Sequence, residues 1–294
     1  MANLKAIRIR IASVKSTRQI TSAMKMVSAA KLRKAQDKIV RLRPYANKLH
    51  EILIALSQSL ADSDVENIYA RQSSPEKVLL IVITSNRGLC GAFNTNVIKE
   101  ARRVISEKYS SLNNNGNLWL LTIGKKGYDY FRKQKINMLP EQNNLLHDLT
   151  FENVAQAAEQ VMKSFISGEF DGVEIIYNQF KNAAVQNLTN EVYLPVEIVT
   201  SGKVKVTPVD YIYEPDIESI VKELIPKTLK IQFYKSVLDS FVAEHGARMT
   251  AMHKATDNAT GMIRDLTLHY NQARQATITN QILEVVSGAE ALRG

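Results

Sequence analysis

From residue 227 to its end the chain contains no proline, and its only interior glycines there are Gly246, Gly261 and Gly288. Over that stretch apolar residues recur at heptad-like spacing: Val242, Met249, Met252, Ala259, Ile263, Leu266, Tyr270 and Ala273. An unbroken run with this repeat predicts one long α-helix. At ~1.5 Å of rise per residue, a helix over 227–286 is roughly 90 Å long, whereas a compact chain of this size has a radius of gyration of about 19 Å. Such a helix projects from any globule, and its apolar seam requires a second helix to cover it.

The N-terminal residues supply the candidate. Residues 1–60 contain no glycine and one proline, Pro44, and Leu4, Ile7, Ile11 and Val14 step by three, four and three, the seam of a coiled coil. Farther along, the seam dilutes into Thr21, Met24 and Ser28, small or flexible side chains that let a partner approach closely at some cost in apolar burial. Pro44 is expected to kink or interrupt this helix, which resumes through Leu49, Ile52, Leu53, Leu56 and Leu60.

Charge is concentrated in the same region. The net charge is +9, and residues 1–43 hold 12 Lys or Arg against one acid, Asp37, so an acidic partner is expected to face them. Nucleic acid, anionic lipid and an acidic protein surface all qualify. The pattern imitates an organelle transit peptide at first but runs on past residue 40. The longest strongly apolar run, 78–83, is far below the ~20 residues of a membrane span. A single cysteine, Cys90, excludes an internal disulfide and fits a reducing compartment.

A different architecture occupies the middle. After the polar stretch 61–77, residues 77–84 (KVLLIVIT) read as a buried parallel strand, followed by the turn SNRGLCGAFN and a helix over 95–109. Residues 118–123 form a second expected strand, Gly124-Lys125-Lys126-Gly127 leads into a short helix ending near Lys133, and 136–139 is a possible third. A helix over 151–165 and strands over 172–180 and 186–199 follow, and Asp216 reads as a helix N-cap with Pro226 at or inside the first turns. Strands alternating with helices indicate a small Rossmann-like α/β domain. The expected fold is therefore α/β plus a long antiparallel coiled coil: N- and C-terminal helices form a rod, with the α/β domain inserted between them. The corresponding divisions are 1–60, 76–206 and 210–294.

Motifs for catalysis are weak. Neither Ser85-Asn86-Arg87-Gly88-Leu89-Cys90-Gly91 nor Gly124-Lys125-Lys126-Gly127 has the GxGxxG or GxxxxGK[ST] spacing of a phosphate loop, so a tight turn serving the fold is the expectation for both. His245, His253 and His269 are too widely spaced along one helix to ligate a single metal. No catalytic residue, cofactor site or metal site is expected.

Four segments nevertheless resemble the γ subunit of F-type ATP synthases: IRIRIASVKSTRQITSAMKMVSAAKLRKAQ (7–36), SNRGLCGAFN (85–94), ARMTAMHKATDNA (247–259) and LTLHYNQARQATIT (266–279). The resemblance implies a non-catalytic central shaft that rotates, its tip inside an alternating hexamer of α and β subunits and its foot on the proton-driven c-ring, with the ε subunit as a further partner. It implies hexamer contacts at Met24, Lys25, Arg274, Gln275, Thr279 and Glu284, and c-ring contacts at Tyr213 and Glu214. Under it, Arg8, Arg10, Lys15, Arg18 and Lys25 face acidic lever segments of the catalytic subunits, and Ile278, Ile282, Leu283 and Val286 meet an apolar collar. One position departs from the family pattern, since Gln281 stands where Glu is usual while Glu284 is kept. The expected location is peripheral, on the cytoplasmic face of a bacterial plasma membrane. The second reading, from charge alone, is a basic nucleic-acid-binding coiled coil.

Overall fold

The computed structural model describes residues 4–60, 68–70, 75–196 and 217–292. Two very long helices, α1 (Leu4–Leu60) and α6 (Ile217–Ala291), bracket a five-stranded α/β region. The chain divides into two compact units, one of residues 1–28 with 249–294 and one of residues 29–248.

In the first unit α1 and α6 pair in antiparallel fashion. Leu4, Ile7, Ile11 and Val14 are half-buried and Thr21 and Ser28 buried on α1, while Met252 and Ala259 are buried and Ile263, Leu266, Tyr270 and Ala273 half-buried on α6. The steps of three and four predicted from sequence are thus the steps along which solvent is excluded. Two side-chain bonds cross the seam: Arg8 Nη2 donates to the Tyr270 hydroxyl at 2.8 Å, and the Thr21 and Thr256 hydroxyls lie 2.8 Å apart. Residue number on one helix falls as it rises on the other, which fixes the direction.

In the second unit the seam continues through Leu32, Ala35, Ile39, Ala46 and Leu49 of α1, all buried. Ala46, Leu49 and Ile231 of α6 form one apolar cluster, flanked by Leu42 and Leu224. Pro44 lies inside α1 without interrupting it. Its neighbours help explain this: burial of Leu49 in that cluster is worth about 1.5–3 kcal/mol and that of the smaller Ala46 about 1 kcal/mol, which together offset the hydrogen bond that proline removes. Pro226 is likewise inside α6, which starts at Ile217, ten residues before the proline-free stretch. The strand expected over 186–199 ends at Leu194, short of that range; residues 197–199 and the expected cap at Asp216 fall outside the described residues.

The sheet has strand order β3-β2-β1-β4-β5. Its members are β1 (Val78–Ile83), β2 (Leu118–Ile123), β3 (Asn137–Met138), β4 (Gly172–Phe180) and β5 (Gln186–Leu194). β1, β2, β3 and β4 run parallel, and β5 returns antiparallel on β4. All six residues of β1 are buried, as a central parallel strand covered on both faces requires. On one face Val78, Leu80 and Val82 pack with Val97, Ala101, Val104 and Ile105 of α2 (Phe93–Glu107) and with Phe131, which ends α4 (Lys125–Phe131). Right-handed crossovers place α5 (Phe151–Ile166), which links β3 to β4, on the opposite face. There Phe151 meets Tyr234 of α6 edge to face at 5.6 Å, and Tyr193 of β5 lies 5.6 Å from Phe233. The short helix α3 (Ser110–Asn114) and a 3₁₀ turn, Asn143–Leu146, were not anticipated, because five and four residues carry no readable period.

Candidate functional site

The two glycine-containing turns lie at the C-terminal ends of β1 and β2, where α/β sheets commonly bind phosphates. Here the protein uses those positions itself. Thr84 Oγ1 accepts from Gly127 N at 2.8 Å and donates to the Gly124 carbonyl at 3.1 Å. Lys126 N donates to the Ser85 carbonyl at 3.1 Å and Lys125 N to Asn86 Oδ1 at 3.0 Å. The first amides of α4 are thereby satisfied internally. Gly124 (φ 107°) is demanded by this closure, since a Cβ would sit 2.2 Å from the Thr84 carbonyl oxygen. The glycines of Gly124-Lys125-Lys126-Gly127 serve strand-to-strand approach, the role expected from the weak motif match.

The loop after β1 is held in the same way. Ser85 N donates to Asn94 Oδ1 at 2.9 Å, Asn94 Nδ2 donates to the Ser85 hydroxyl at 2.8 Å, and Ser85 Oγ donates to the Arg87 carbonyl at 2.7 Å. From α6, Arg248 Nη2 donates to the carbonyls of Arg87 (2.7 Å) and Gly88 (3.2 Å), while its Nη1 pairs with Glu244. Cys90 is buried beneath the loop, and burial pushes its thiol upward from the ordinary value, away from reactivity. On this braced support Leu89 adopts a left-handed φ of 64° and is 66% exposed. Arg87, Lys125 and Lys126 are exposed in the adjoining turns. A branched side chain in that conformation carries a backbone cost that the hydrogen bonds bracing the loop must offset. The loop is a rigid apolar knob among cations, a surface suited to an acidic, partly apolar protein segment. Sequence reasoning missed Leu89; the signal was a non-glycine residue between Gly88 and Gly91 where the turn bends.

Of the residues expected to contact a hexamer, Met24 and Lys25 are half-buried on α1, and Arg274, Gln275, Thr279 and Glu284 are all exposed on α6. Thr279 Oγ1 donates to the Gln275 carbonyl at 3.0 Å, which places these two on one helix face. Because Thr21 lies against Thr256, Lys25 is level with about residue 252, and Arg274 is roughly 33 Å farther along the pair. The structure does not bring the two groups together, so they do not form one small-molecule site. Tyr213 and Glu214 lie outside the described residues. Among the basic residues of α1, Arg8 is committed within the unit. Its hydrogen bond is the first cause lowering the Tyr270 hydroxyl pKa, ahead of its charge and that of Arg274.

The last part of α6 differs from the rest. α1 is described from Leu4 onward, which the antiparallel pairing sets level with about residue 273, and from 274 to 292 every described residue except Thr277 is exposed. About 27 Å of helix is therefore without a helix partner among the described residues. Ile278, Ile282, Val285 and Val286 form a stripe along it, 44%, 58%, 72% and 53% exposed. On α1, Ile9, Ile20 and Val27 are also exposed, separated by eleven and seven residues and so aligned on one outward face. A lone helix of this length is marginal in water, and a contiguous apolar stripe marks a contact surface. Among the described residues no helix is long and apolar enough to cross a membrane, and no His, Cys, Asp and Glu cluster is arranged to hold a metal.

The comparisons with known proteins agree with this layout. A family model described as ATP synthase matches residues 3–292. The ATP synthase gamma chain of Flavobacterium psychrophilum is 55% identical over 294 residues, covering all of both chains. That of Flavobacterium johnsoniae is 56% identical, also over the full length of both, and that of Chloroherpeton thalassium is 46% identical over 99% of each. Among solved structures, a chain of the Euglena gracilis mitochondrial ATP synthase matches with a TM-score of 0.71 at 23% identity, over 98% of this chain and 94% of that one, a likeness of fold. A chain of the Tetrahymena thermophila mitochondrial ATP synthase central stalk and c-ring matches with a TM-score of 0.59 at 25% identity, over 80% of this chain and 99% of that one. Matched from residue 3 to residue 292 and by full-length relatives at about half identity, the chain belongs to the ATP synthase γ chain family.

Proposed function

We propose that this chain is the central rotary shaft of a proton-translocating F-type ATP synthase, a peripheral, non-catalytic subunit at the cytoplasmic face of a bacterial plasma membrane. The observation that carries the reading is the exposed end of α6. A single helix with the apolar stripe Ile278, Ile282, Val285 and Val286 is suited to insertion into a surrounding apolar collar. Its partners are the alternating hexamer of α and β subunits, the ε subunit and the membrane c-ring. The hexamer contacts are assigned to Met24, Lys25, Arg274, Gln275, Thr279 and Glu284, with Leu89 and its flanking cations as an added surface; those to the c-ring are assigned to Tyr213 and Glu214. The working divisions are the N-terminal shaft helix 1–60, the α/β foot 76–206 and the C-terminal shaft helix 210–294.

No bond is made or broken on the shaft. Residues spread over both helices present a different set of groups in each direction, so each rotational position favours a different conformation at each catalytic site. Rotation and nucleotide affinity are then linked by differential contact energy. Exposed charge pairs contribute only about 0–1 kcal/mol each, so the basic side chains of α1 bias the angular landscape without locking it. None of the relatives reported above is a nucleic-acid-binding protein, and the second reading has no observation in its favour.

Substituting Arg274→Ala tests the proposal. Arg274 is exposed, so the complex should assemble with unchanged stability while ATP-driven proton pumping per ATP hydrolysed falls. Normal pumping in the variant complex rejects the role of Arg274. Native mass spectrometry showing the chain alone, without a hexamer, after coexpression with the ATPase subunits rejects the shaft reading.

A further inference from the structure

A cleft of about 700 Å³ opens on the α/β region, lined by Lys99, Arg102, Arg103, Ile105, Ser106 and Asn113 on one side and Phe131, Gln134, Lys135 and Ile136 on the other. It lies between α2, α3 and the connection from α4 to β3, not at the braced turns that follow β1 and β2. Its volume is in the range of small-molecule sites.

The lining has a definite chemistry. Lys99, Arg102, Arg103 and Ser106 are spaced i, i+3, i+4 and i+7 and so share one flank of α2, while Lys135 approaches from the opposite wall. Arg103 is neutralised, since its Nε and Nη2 bind Glu100 at 3.0 and 2.6 Å and its Nη1 lies 3.6 Å from Glu107. Lys99, Arg102 and Lys135 pair with no carboxylate among the described residues, and no carboxylate lines the cleft. A metal or organic cation would find nothing to bind. Three unneutralised cations, one a planar guanidinium fork, suit a phosphate.

The rest of the lining favours a phosphate carried on an organic body over a bare inorganic ion. The half-buried Ile136 gives the cleft an apolar contact, and the buried Ile105 and Phe131 back its lining. The side-chain amides of Asn113 and Gln134 have no partner among the described residues and supply donors and acceptors for hydroxyl groups. We propose that this cleft binds an organic phosphate, one or two phosphate groups carried on an apolar or hydroxyl-bearing body, and that the foot of the shaft thereby takes a ligand of its own. The headgroup of an anionic phospholipid and a soluble nucleoside phosphate share this chemistry. The inference does not depend on the rotary reading.

The test uses the full-length chain with two probes: ADP by equilibrium dialysis, and cosedimentation with phosphatidylcholine vesicles with or without phosphatidylglycerol. Saturable ADP binding assigns a soluble phosphate, and phosphatidylglycerol-dependent cosedimentation assigns a lipid headgroup. In either case Arg102→Gln with Lys135→Gln should weaken binding by about tenfold or more. Ser106→Trp, which fills the cleft and leaves its charge intact, should do the same. Lys181→Gln, an exposed cation outside the cleft, should leave binding unchanged. The proposal is overturned if neither probe binds at millimolar ADP or saturating vesicles, if Lys181→Gln is as damaging as the cleft substitutions, or if Ser106→Trp binds as well as the parent. Failure here with an intact hexamer complex leaves the shaft reading standing.

Discussion

His245 is 6% exposed, its ring meets Phe241 edge to face at 4.5 Å, and its Nδ1 has no partner. Burial, helped by the charges of Arg248 and Lys31, lowers its pKa to about 3. An unfolded imidazole takes up its proton near pH 6.5, so between pH 6.5 and 3 the unfolded chain binds more protons than the folded one, and stability falls as pH falls. Above pH 6.5 the contribution is complete. His245→Phe should remove this slope, read as the difference between parent and variant in denaturation midpoint at pH 7 and pH 5. The difference is needed because burial raises the carboxyl pKa of Asp239 and of Glu244, and those groups act in the opposite sense on acidification. Asp239 is fully buried, with Arg43 Nη2 on one oxygen at 2.8 Å and the other oxygen unpartnered. Arg43→Met should strand that carboxylate and cost about 2–3 kcal/mol, less than for a fully buried pair because Arg43 is 35% exposed. Arg43→Met combined with Asp239→Leu should recover most of the loss in urea denaturation. Neither role was legible in the sequence. His245 was merely one of three histidines spaced too widely to ligate one metal, and the charges that surround it come from residues 31 and 248.

Periodicity decided most at the level of elements. α1 and α6 carry heptad steps that repeat often enough to reveal the pairing, and β1, β2 and β4 were placed to within one residue of Val78–Ile83, Leu118–Ile123 and Gly172–Phe180 because buried parallel strands read as continuous apolar runs. Ile263 is half-buried in the seam, so Ile263→Asp should place an unpaired charge against α1 and cost about 1–3 kcal/mol. Faster amide exchange confined to residues 4–28 and 249–273 would register it; unchanged exchange would show that the seam tolerates the charge. The Thr21 and Thr256 pair predicts the opposite outcome. Both hydroxyls also lie within reach of their own helix carbonyls, of Arg18 at 3.1 Å and of Met252 at 2.8 Å, and two protons cannot serve three bonds. Thr21→Val with Thr256→Val should therefore be neutral or slightly stabilising, while loosening the register that the polar pair helps to set. Slower or unchanged exchange in the same residues is the expected reading. What the pattern did not foresee was that Pro44 sits inside a continuous helix, because a local penalty of a few kcal/mol is outweighed by packing that a local window does not contain.

For the whole molecule, the exposed end of α6 separates folding from assembly. Among the described residues, ending the chain after Ala276 removes only ones that are exposed or, at Thr277, half-buried. The thermal midpoint should stay within a few degrees of the parent while association with an α/β hexamer weakens; a large drop in midpoint would mean that the stripe stabilises the fold instead. Gln281→Glu probes the same segment, since it restores the acidic pair with Glu284, and a change in ATP-driven rotation without a change in stability would assign those positions to the partner surface. Sequence by itself determined the two long helices, their antiparallel pairing, the inserted α/β sheet and the family, because each is written as a repeated or contiguous pattern within one stretch of chain. Tertiary structure alone decided which polar groups are buried and what they hold. The Arg43 tie to Asp239, the grip of Arg248 on the Leu89 loop, the closure of Gly124 on Thr84 and the basic cleft at Lys99 and Lys135 each join residues far apart in number. No local period marks them, and only the packed chain brings their charges and carbonyls within a few ångströms.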